Sequence, residues 1–150
     1  MKLISSYKVF SDKRLVFELH AGIGTFDRLK AFKLTEAADT NFSHDYDTLI
    51  DIRNTTIDGD RKDVESYIEF AIAHGGVSGK RRMAVLTDTP KHVVFFTFMN
   101  MCTIGLPQSM KLFSTAEAAI SWLGDPLSYN EVNTCLLKLK EEAKAYLIED

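Results

Sequence analysis

The sequence LFSTAEAAISWL, residues 112–123, predicts the end of a β-strand that passes through a sharp cap into a short helix. Ser114 and Glu117 have the spacing of a capping box, in which each side chain accepts a hydrogen bond from a backbone N–H at the helix start. Ile120 and Trp122 then supply apolar surface on the helix. A strand that leads directly into such a helix is typical of a layered α/β fold.

The rest of the chain alternates extended segments with helical periodicity. The apolar patterns predict strands at residues 4–10, 15–20, 48–52, 83–86 and 110–113, and helices at 26–38, around 64–71, at 91–103 and at 129–148. The turn-forming sequence Gly22-Ile23-Gly24 is expected to end the second strand, and residues 54–60 are expected to form a polar loop after the third. Gly75-Gly76 is expected to end the second helix, and Gly105 with Pro107 the third.

The order of elements, ββαβαβαβαα, predicts an α/β fold with a mixed central sheet of about five strands. The opening hairpin, residues 4–20, supplies the antiparallel pair, and the βα units that follow predict parallel strands with helices on both faces. Residues 1–124 are therefore expected to form one domain, and residues 125–150 an amphipathic helix packed on that domain or on a second chain. The apolar stripe of this helix consists of Val132, Leu136, Leu139 and Ala143.

Composition and charge exclude several classes of function. The net charge of −3 gives no electrostatic footprint for nucleic acid, and the basic triplet Lys80-Arg81-Arg82 is expected to be a solvated strand edge. No run approaches the ~18 to 20 apolar residues that span a bilayer.

Cys102 and Cys135 lie far apart in the sequence and are expected to be free thiols of a cytoplasmic protein. The histidines, which lack metal-ligand spacing and are expected at solvated or edge positions, are His20, His44, His74 and His92.

Four stretches of sequence are each a weak signal alone, but their order along the chain is moderately specific for one fold family. They are AGIGT at residues 21–25, LIDIR at 49–53, AVLTD at 84–88, and FSTAE at 113–117 followed by Trp122-Leu123. Over about residues 3–124 this order resembles the SpoIIAA-like group, which has the STAS-type fold. The lipid-binding lobe of CRAL-TRIO proteins shares the topology that the resemblance implies. The helix after Pro126 is an addition to the minimal fold.

The loop after the central strand is the regulatory position in this group. Anti-sigma-factor antagonists of the same fold carry a phosphorylatable serine there, where a phosphate adds negative charge at a helix start. Residues 51–60, DIRNTTIDGD, lack the expected D-S-S-G run, and Thr55 and Thr56 come too early, so the phospho-switch is not carried over. The region is still a candidate loop site made of Asp51, Thr55, Thr56, Asp58 and Asp60. A divalent-metal or phosphate-chemistry site is the alternative to turn and cap aspartates, although no further ligand motif accompanies it.

The predicted helix at residues 91–103 is apolar almost all round. Such a helix is either buried or covers something else. Burial between the sheet and the C-terminal helix is one interpretation, and a dimer interface or one wall of a hydrophobic ligand pocket are the others. The candidate binding surface consists of Val94, Phe95, Phe98, Met99 and Met101.

These observations favour a non-enzymatic binding or regulatory module, bacterial and cytoplasmic, that docks a protein partner through this surface and forms a homodimer. No nucleophile elbow or metal-ligand motif is present in the sequence, so no catalytic residue, metal or cofactor is expected. The alternative is a carrier of a lipid or other hydrophobic small molecule, with its pocket between the sheet and the helix at 91–103. The third interpretation is a metal-dependent enzyme that uses the aspartates near Asp51 and Asp58.

Overall fold

The structure, a computed structural model, describes residues 2–74, 77, 79–102 and 106–147, and only the backbone of Phe98, Cys102 and 145–147. The described strands are β1 (Ile4–Phe10), β2 (Leu15–Gly24), β3 (Asp47–Ile57), β4 (Arg82–Leu86) and β5 (Ser109–Phe113). The described helices are α1 (Phe26–Ala38), α2 (Arg61–Ala73), α3 (Pro90–Cys102), α4 (Ala116–Trp122) and α5 (Tyr129–Leu147). This architecture confirms the predicted mixed α/β fold with an additional C-terminal helix.

The strands lie in one sheet in the order β1-β2-β3-β4-β5, which is also their order in the sequence. β1 and β2 form the predicted antiparallel hairpin, while β2, β3, β4 and β5 are parallel. A one-turn 3₁₀ segment, Ser11–Lys13, and Arg14 in the left-handed region close the hairpin. The four parallel strands therefore all begin at one end of the sheet and finish at the other end.

Each face of the sheet has its own hydrophobic core, because successive side chains of a strand point to opposite faces. On one face Leu15, Phe17 and Leu19 of β2 pack beneath α4 and α5. On the other face Ile50 of β3 and Met83 of β4 pack beneath α1, α2 and α3. No helix in the described ranges is both long enough and apolar enough to cross a membrane.

β2 and β3 are longer than the sequence predicts. β2 continues through Gly24 instead of ending at His20, and β3 continues to Ile57, so the predicted loop at residues 54–60 is wrong for residues 54–57. Leu19 pairs with Asp51 and Ala21 with Asn54, so β3 carries one more residue than β2 between these pairs. This bulge shifts the alternation of side chains between the two faces of the sheet by one residue. A period-two pattern that fits the first half of each strand therefore does not fit the second half.

Gly22 lets β2 continue where a turn was expected. Its φ of +94° lies in the left-handed region, and a Cβ atom there would lie 2.3 Å from the carbonyl oxygen of Lys2. Lys2 forms a parallel bridge to Ile23, so the N-terminal residues follow β2 closely at this point. Glycine is needed here for close backbone approach within a strand rather than for a strand-ending turn.

The helix caps agree with the sequence at α1 and differ at α4. Thr25 caps α1 as predicted, because its side chain accepts a hydrogen bond from the backbone N–H of Arg28. At α4 the capping residue is Thr115, whose side chain accepts from the backbone N–H of Ala118, so the predicted capping box of Ser114 and Glu117 is wrong. The glycines predicted to end α2 and α3, Gly75-Gly76 and Gly105, lie outside the described residues.

α5 packs against β1 and β2 and also contacts α4. Its buried side chains include the whole predicted stripe, Val132, Leu136, Leu139 and Ala143. Cys135, on the same helix, is a buried free thiol, and burial raises its pKa above the ordinary value. The side chain of Cys102 lies outside the described part of the chain.

Candidate functional site

A cavity of about 110 Å³ lies between the sheet and the helices α1, α2 and α3. It extends from Arg81 and Met110, at the beginnings of β4 and β5, to Ile57 at the end of β3. Most of its lining is apolar, including Phe26, Ile50, Ile68, Met83, Phe95 and Met99. The side chains of the helices thus leave part of this face of the sheet uncovered, and the remaining space equals the volume of about four water molecules in the liquid.

A cluster of titratable side chains at this cavity comes from two elements, β2 and α1. Glu18 of β2 accepts a hydrogen bond from Nζ of Lys33 on α1, and its Oε2 lies 3.1 Å from Nε2 of His20. Lys33 Nζ also lies 3.6 Å from Oε1 of Glu36, one turn further along α1. All four side chains are at least 96% buried, although only Glu18, His20 and Lys33 line the cavity. Buried ion pairs are costly to form, so a cluster of this size is unusual between a sheet and helices that otherwise bury apolar side chains.

The two carboxyl groups of the cluster take opposite protonation states. Burial opposes ionisation of Glu18, but the charge of Lys33 and the hydrogen bond with His20 outweigh it and hold the pKa of Glu18 well below its usual range. Burial, with the neighbouring Glu18 carboxylate, raises the pKa of Glu36 to about 8. Burial opposes the charge of Lys33, yet the two carboxyl groups raise its pKa above the ordinary value. At neutral pH the cluster therefore contains one carboxylate, Glu18, and one ammonium, Lys33.

Arg81 adds a second cation at the cavity. Its side chain is only 4% exposed, Nη2 donates a hydrogen bond to the carbonyl oxygen of Val77 at 3.0 Å, and the guanidinium lies 5.9 Å from the ring centre of Phe42. Nε and Nη1 are buried without a hydrogen-bond partner among the residues that the structure describes. The prediction that the basic triplet is a solvated edge is therefore wrong for Arg81, which points into the protein.

The neighbouring Arg82 shows the behaviour that was expected of the whole triplet. Its side chain is 44% exposed and lies 2.7 Å from Oδ2 of Asp47, and it donates hydrogen bonds to the carbonyl oxygens of Trp122 and Leu123 at the end of α4. Arg81 and Arg82 thus point to opposite faces of the sheet. Arg82 satisfies backbone groups at a helix end, whereas Arg81 contacts the cavity.

The histidines also divide between surface and interior. His44 and His74 are exposed as expected, whereas His20 and His92 are each only 4% exposed, so the expectation of solvated or edge positions is wrong for these two. Nδ1 of His20 lies 2.7 Å from Oγ of Ser5. His92 bridges Oγ1 of Thr87, at 2.7 Å, and the carbonyl oxygen of Thr55, at 2.8 Å. His92 therefore links the start of α3 to the end of β3.

The candidate binding surface on α3 does not form one continuous face. Phe95 and Met99 point inward and line the cavity. Val94 and Met101 point outward and are 73% and 65% exposed. The side chain of Phe98 lies outside the described part of the chain. α3 therefore supplies a wall of the internal cavity on one side and an apolar strip to solvent on the other.

The candidate loop site is likewise divided. Asp51 is buried and forms an ion pair of 2.7 Å with Arg53, while Asp58 is exposed. Asp60 caps α2 in a reciprocal capping box with Asp63. Thr55, Thr56 and Asp60 line an open surface hollow between the end of β3 and the starts of α2 and α3. Within the described ranges no group of three or more His, Cys, Asp or Glu side chains is close enough to hold a metal ion.

Sequence reasoning missed the buried cluster, although a signal for it was present. Glu18 and His20 alternate with Leu15, Phe17 and Leu19 along β2, so they share the opposite face of the sheet. Helices on both faces of the sheet require that face to be covered as well. A charged side chain on a covered face needs a buried partner, and Lys33 on α1 is that partner.

Comparisons with known proteins give a fold and no activity. No family model matches the sequence, and no curated protein matches it. Among solved structures, the chain is similar to an uncharacterised protein of the DUF3478 family with a SpoIIAA-like fold from Shewanella loihica PV-4. The match has a TM-score of 0.53 and 15% sequence identity, and it covers 81% of this chain and 93% of that chain. At this identity the likeness shows the fold alone, so the chain has a SpoIIAA-like fold.

Proposed function

We propose that this protein is a non-enzymatic binding protein that takes a hydrophobic small molecule into the cavity between the sheet and α1–α3. The cavity itself is the observation that carries the proposal, because about 110 Å³ of largely apolar space lies inside a core that is otherwise closely packed. An apolar cavity with a few polar groups is the usual form of a small-molecule site. The SpoIIAA-like fold is consistent with such a site but does not by itself assign one.

The cavity can be tested by filling it. Ala71 of α2 is buried and lines the cavity, so Ala71→Leu places three additional carbon atoms in the space. Ala73, at the end of the same helix, is exposed, so Ala73→Leu makes the same chemical change outside the cavity. We expect 1-butanol to bind the unmodified protein and Ala73→Leu, and to bind Ala71→Leu at least tenfold more weakly.

The measurement is isothermal titration calorimetry with 1-butanol, together with native mass spectrometry of the protein as purified. A mass adduct that is lost on denaturation would support the proposal and identify its ligand class. If the unmodified protein binds no butanol and carries no adduct, or if Ala71→Leu binds butanol as well as Ala73→Leu does, the cavity is not a binding site.

The outward strip of α3 supports a second candidate function, which is docking of a second copy of the chain. Val93, Val94 and Met101 are 46%, 73% and 65% exposed, and exposed apolar side chains on one helix often mark an interface. On this proposal the protein is a homodimer, and Val94→Asp converts the dimer to a monomer in analytical ultracentrifugation. A monomeric unmodified protein at the highest concentration tested would rule this candidate out.

A further inference from the structure

We propose that the cavity binds a carboxylate with a short hydrocarbon tail, and that the guanidinium of Arg81 is the group that receives the carboxylate. The inference rests on the proposed small-molecule function and adds to it the chemical class of the ligand. Three observations carry it: unused hydrogen-bond donors at the cavity, an uncompensated buried charge, and the size and polarity of the remaining space.

The donors belong to Arg81. Its side chain is 96% buried and lines the cavity, yet Nε and Nη1 have no hydrogen-bond partner in the described part of the chain. Buried polar groups are rarely left without a partner, and an unused donor on a cation is especially costly. Nε and Nη1 donate in different directions, so a carboxylate oxygen can accept a charge-assisted hydrogen bond from either of them, which is stronger than a bond between neutral groups.

Arg81 has no partner of opposite charge among the described residues that form ion pairs. Glu18 pairs with Lys33 through their hydrogen bond, and Glu36 lies on the other side of Lys33. A guanidinium is a cation with no acceptor of its own, so Arg81 is a buried positive charge without a carboxylate beside it in the described part of the chain. A monoanion supplies the missing charge, whereas a phosphate group with two negative charges would exceed it.

The shape and lining of the cavity select the rest of the ligand. Met83 and Met110, which pair across β4 and β5, lie beside the Arg81 end, and apolar groups of Phe95 and Met99 follow. A cavity of about 150 Å³ holds benzene, so a volume of about 110 Å³ admits a chain of about four to six non-hydrogen atoms. An unbranched carboxylic acid of this length places its carboxylate at Arg81 and its tail against apolar side chains.

Three probes of equal chain length test the ligand class on the unmodified protein. Butanoate, 1-butanol and butylamine share the same tail and differ only in the head group. We expect calorimetry at neutral pH to show that butanoate binds about 10- to 100-fold more tightly than butanol, the range expected of hydrogen bonds to a charged group. Butylamine should not bind measurably, because its charge repeats that of Arg81.

A pair of variants tests the role of Arg81. Arg81→Met keeps the length and apolar stem of the side chain and removes the charge, so butanoate binding should fall to the level of butanol while butanol binding is retained. Arg82→Met makes the same change on the next residue, which contacts Asp47 and the end of α4, and should keep the preference for butanoate. Arg81→Lys, which keeps a charge but has fewer N–H donors in other positions, should show an intermediate preference.

The outcomes separate this inference from the proposed function. If butanol binds as tightly as butanoate, or if Arg81→Met keeps the preference, the ligand class is wrong although the cavity still binds small molecules. If none of the probes binds, the proposed function fails and this inference fails with it. Should Arg81→Met not fold, the three-probe comparison on the unmodified protein decides the question without any variant.

Discussion

Glu36 is the carboxyl group in the buried cluster that binds a proton more tightly in the folded than in the unfolded state. Its pKa is raised to about 8 by burial and by the nearby Glu18 carboxylate, whereas the ordinary value in an unfolded chain is near 4.5. The folded protein therefore holds a proton that the unfolded chain has already released. The free energy of unfolding should fall as the pH rises from about 4.5 to about 8 and then become constant with respect to this group.

This pH dependence gives the first prediction. Glu36→Gln keeps the shape of the side chain but cannot ionise, so we expect the variant to lose the decline in stability between pH 5 and pH 8. At pH 8 it should be more stable than the unmodified protein by roughly 1 to 3 kcal/mol, allowing for relaxation around the buried charge. Urea unfolding at pH 5, 6, 7 and 8 measures the difference.

Glu69→Gln is the matched control, since Glu69 is exposed on α2 and its replacement should leave the pH dependence unchanged. Glu18 acts in the opposite direction, because its lowered pKa contributes stability that is lost as the pH falls below about 4.5. The range above pH 5 therefore separates the effect of Glu36 from that of Glu18. Parallel curves for Glu36→Gln and the unmodified protein would show that Glu36 does not hold a proton at neutral pH.

At the same scale, Arg81 shows both what the sequence could predict and why the prediction failed. Charge alone places a basic triplet in solvent, and that is correct for Lys80 and largely for Arg82. The alternation of a strand, however, puts Arg81 on the same face as Met83, and that face is covered by helices. The composition of the triplet could not reveal this, but its register relative to the apolar strand could have done so.

Secondary-structure elements were predicted well wherever one local signal dominated. The hairpin, α1 with its Thr25 cap, and β4 follow the sequence closely because alternation, capping and helical spacing agree there. β2 and β3 were predicted too short because the bulge between Asp51 and Asn54 shifts the alternation by one residue. Polar threonines in that region then resembled a loop, although Thr55 donates a hydrogen bond to the carbonyl oxygen of His20 on the neighbouring strand.

The start of α4 gives the prediction at the scale of elements. Ser114 and Thr115 are adjacent hydroxyl residues, and only Thr115 accepts a hydrogen bond from a backbone N–H of the first turn, that of Ala118 at 3.2 Å. Thr115→Ala should therefore lower the free energy of unfolding by about 1 kcal/mol. Ser114→Ala should change it by less than about 0.5 kcal/mol, the usual range for a surface substitution without a cap.

Thermal or urea unfolding of the two alanine variants, measured side by side, distinguishes the caps. Glu117→Gln extends the comparison, since the capping box expected from the sequence needs Glu117, whereas a cap at Thr115 does not. A larger loss for Ser114→Ala than for Thr115→Ala would mean that α4 begins one residue earlier in solution than in the structure.

Across the whole molecule, the two faces of the sheet are used differently. The face beneath α4 and α5 is filled by side chains such as Phe17, Leu49 and Val132, each less than 2% exposed. The face beneath α1–α3 combines apolar side chains with the Glu18–Lys33 pair and Arg81 around a cavity. A closely packed core on one face can supply the stability that lets the other face retain unfilled space and buried charge, which is a common division between stability and function.

α5 is central to this division, and we propose that it belongs to the same folding unit as residues 1–124 and packs within its own chain. Its buried residues join the core of β2 and α4, so removing them should affect the whole protein. Leu136→Ala, at a side chain only 6% exposed, should lower the free energy of unfolding by about 2 to 4 kcal/mol. Leu137→Ala is the control, because Leu137 is the next residue on the helix and is 62% exposed, so its replacement should cost less than about 0.5 kcal/mol.

The dependence of unfolding on protein concentration distinguishes packing within one chain from exchange of α5 between chains. A helix that packs in its own chain gives a midpoint of urea unfolding that is unchanged over a hundredfold range of concentration. Exchanged helices make folding depend on association, so the midpoint must rise with concentration. A midpoint that rises with protein concentration, and falls again when the protein is diluted, would show that α5 completes the core of a partner chain. The dimer interface would then lie on the face of the sheet opposite the cavity.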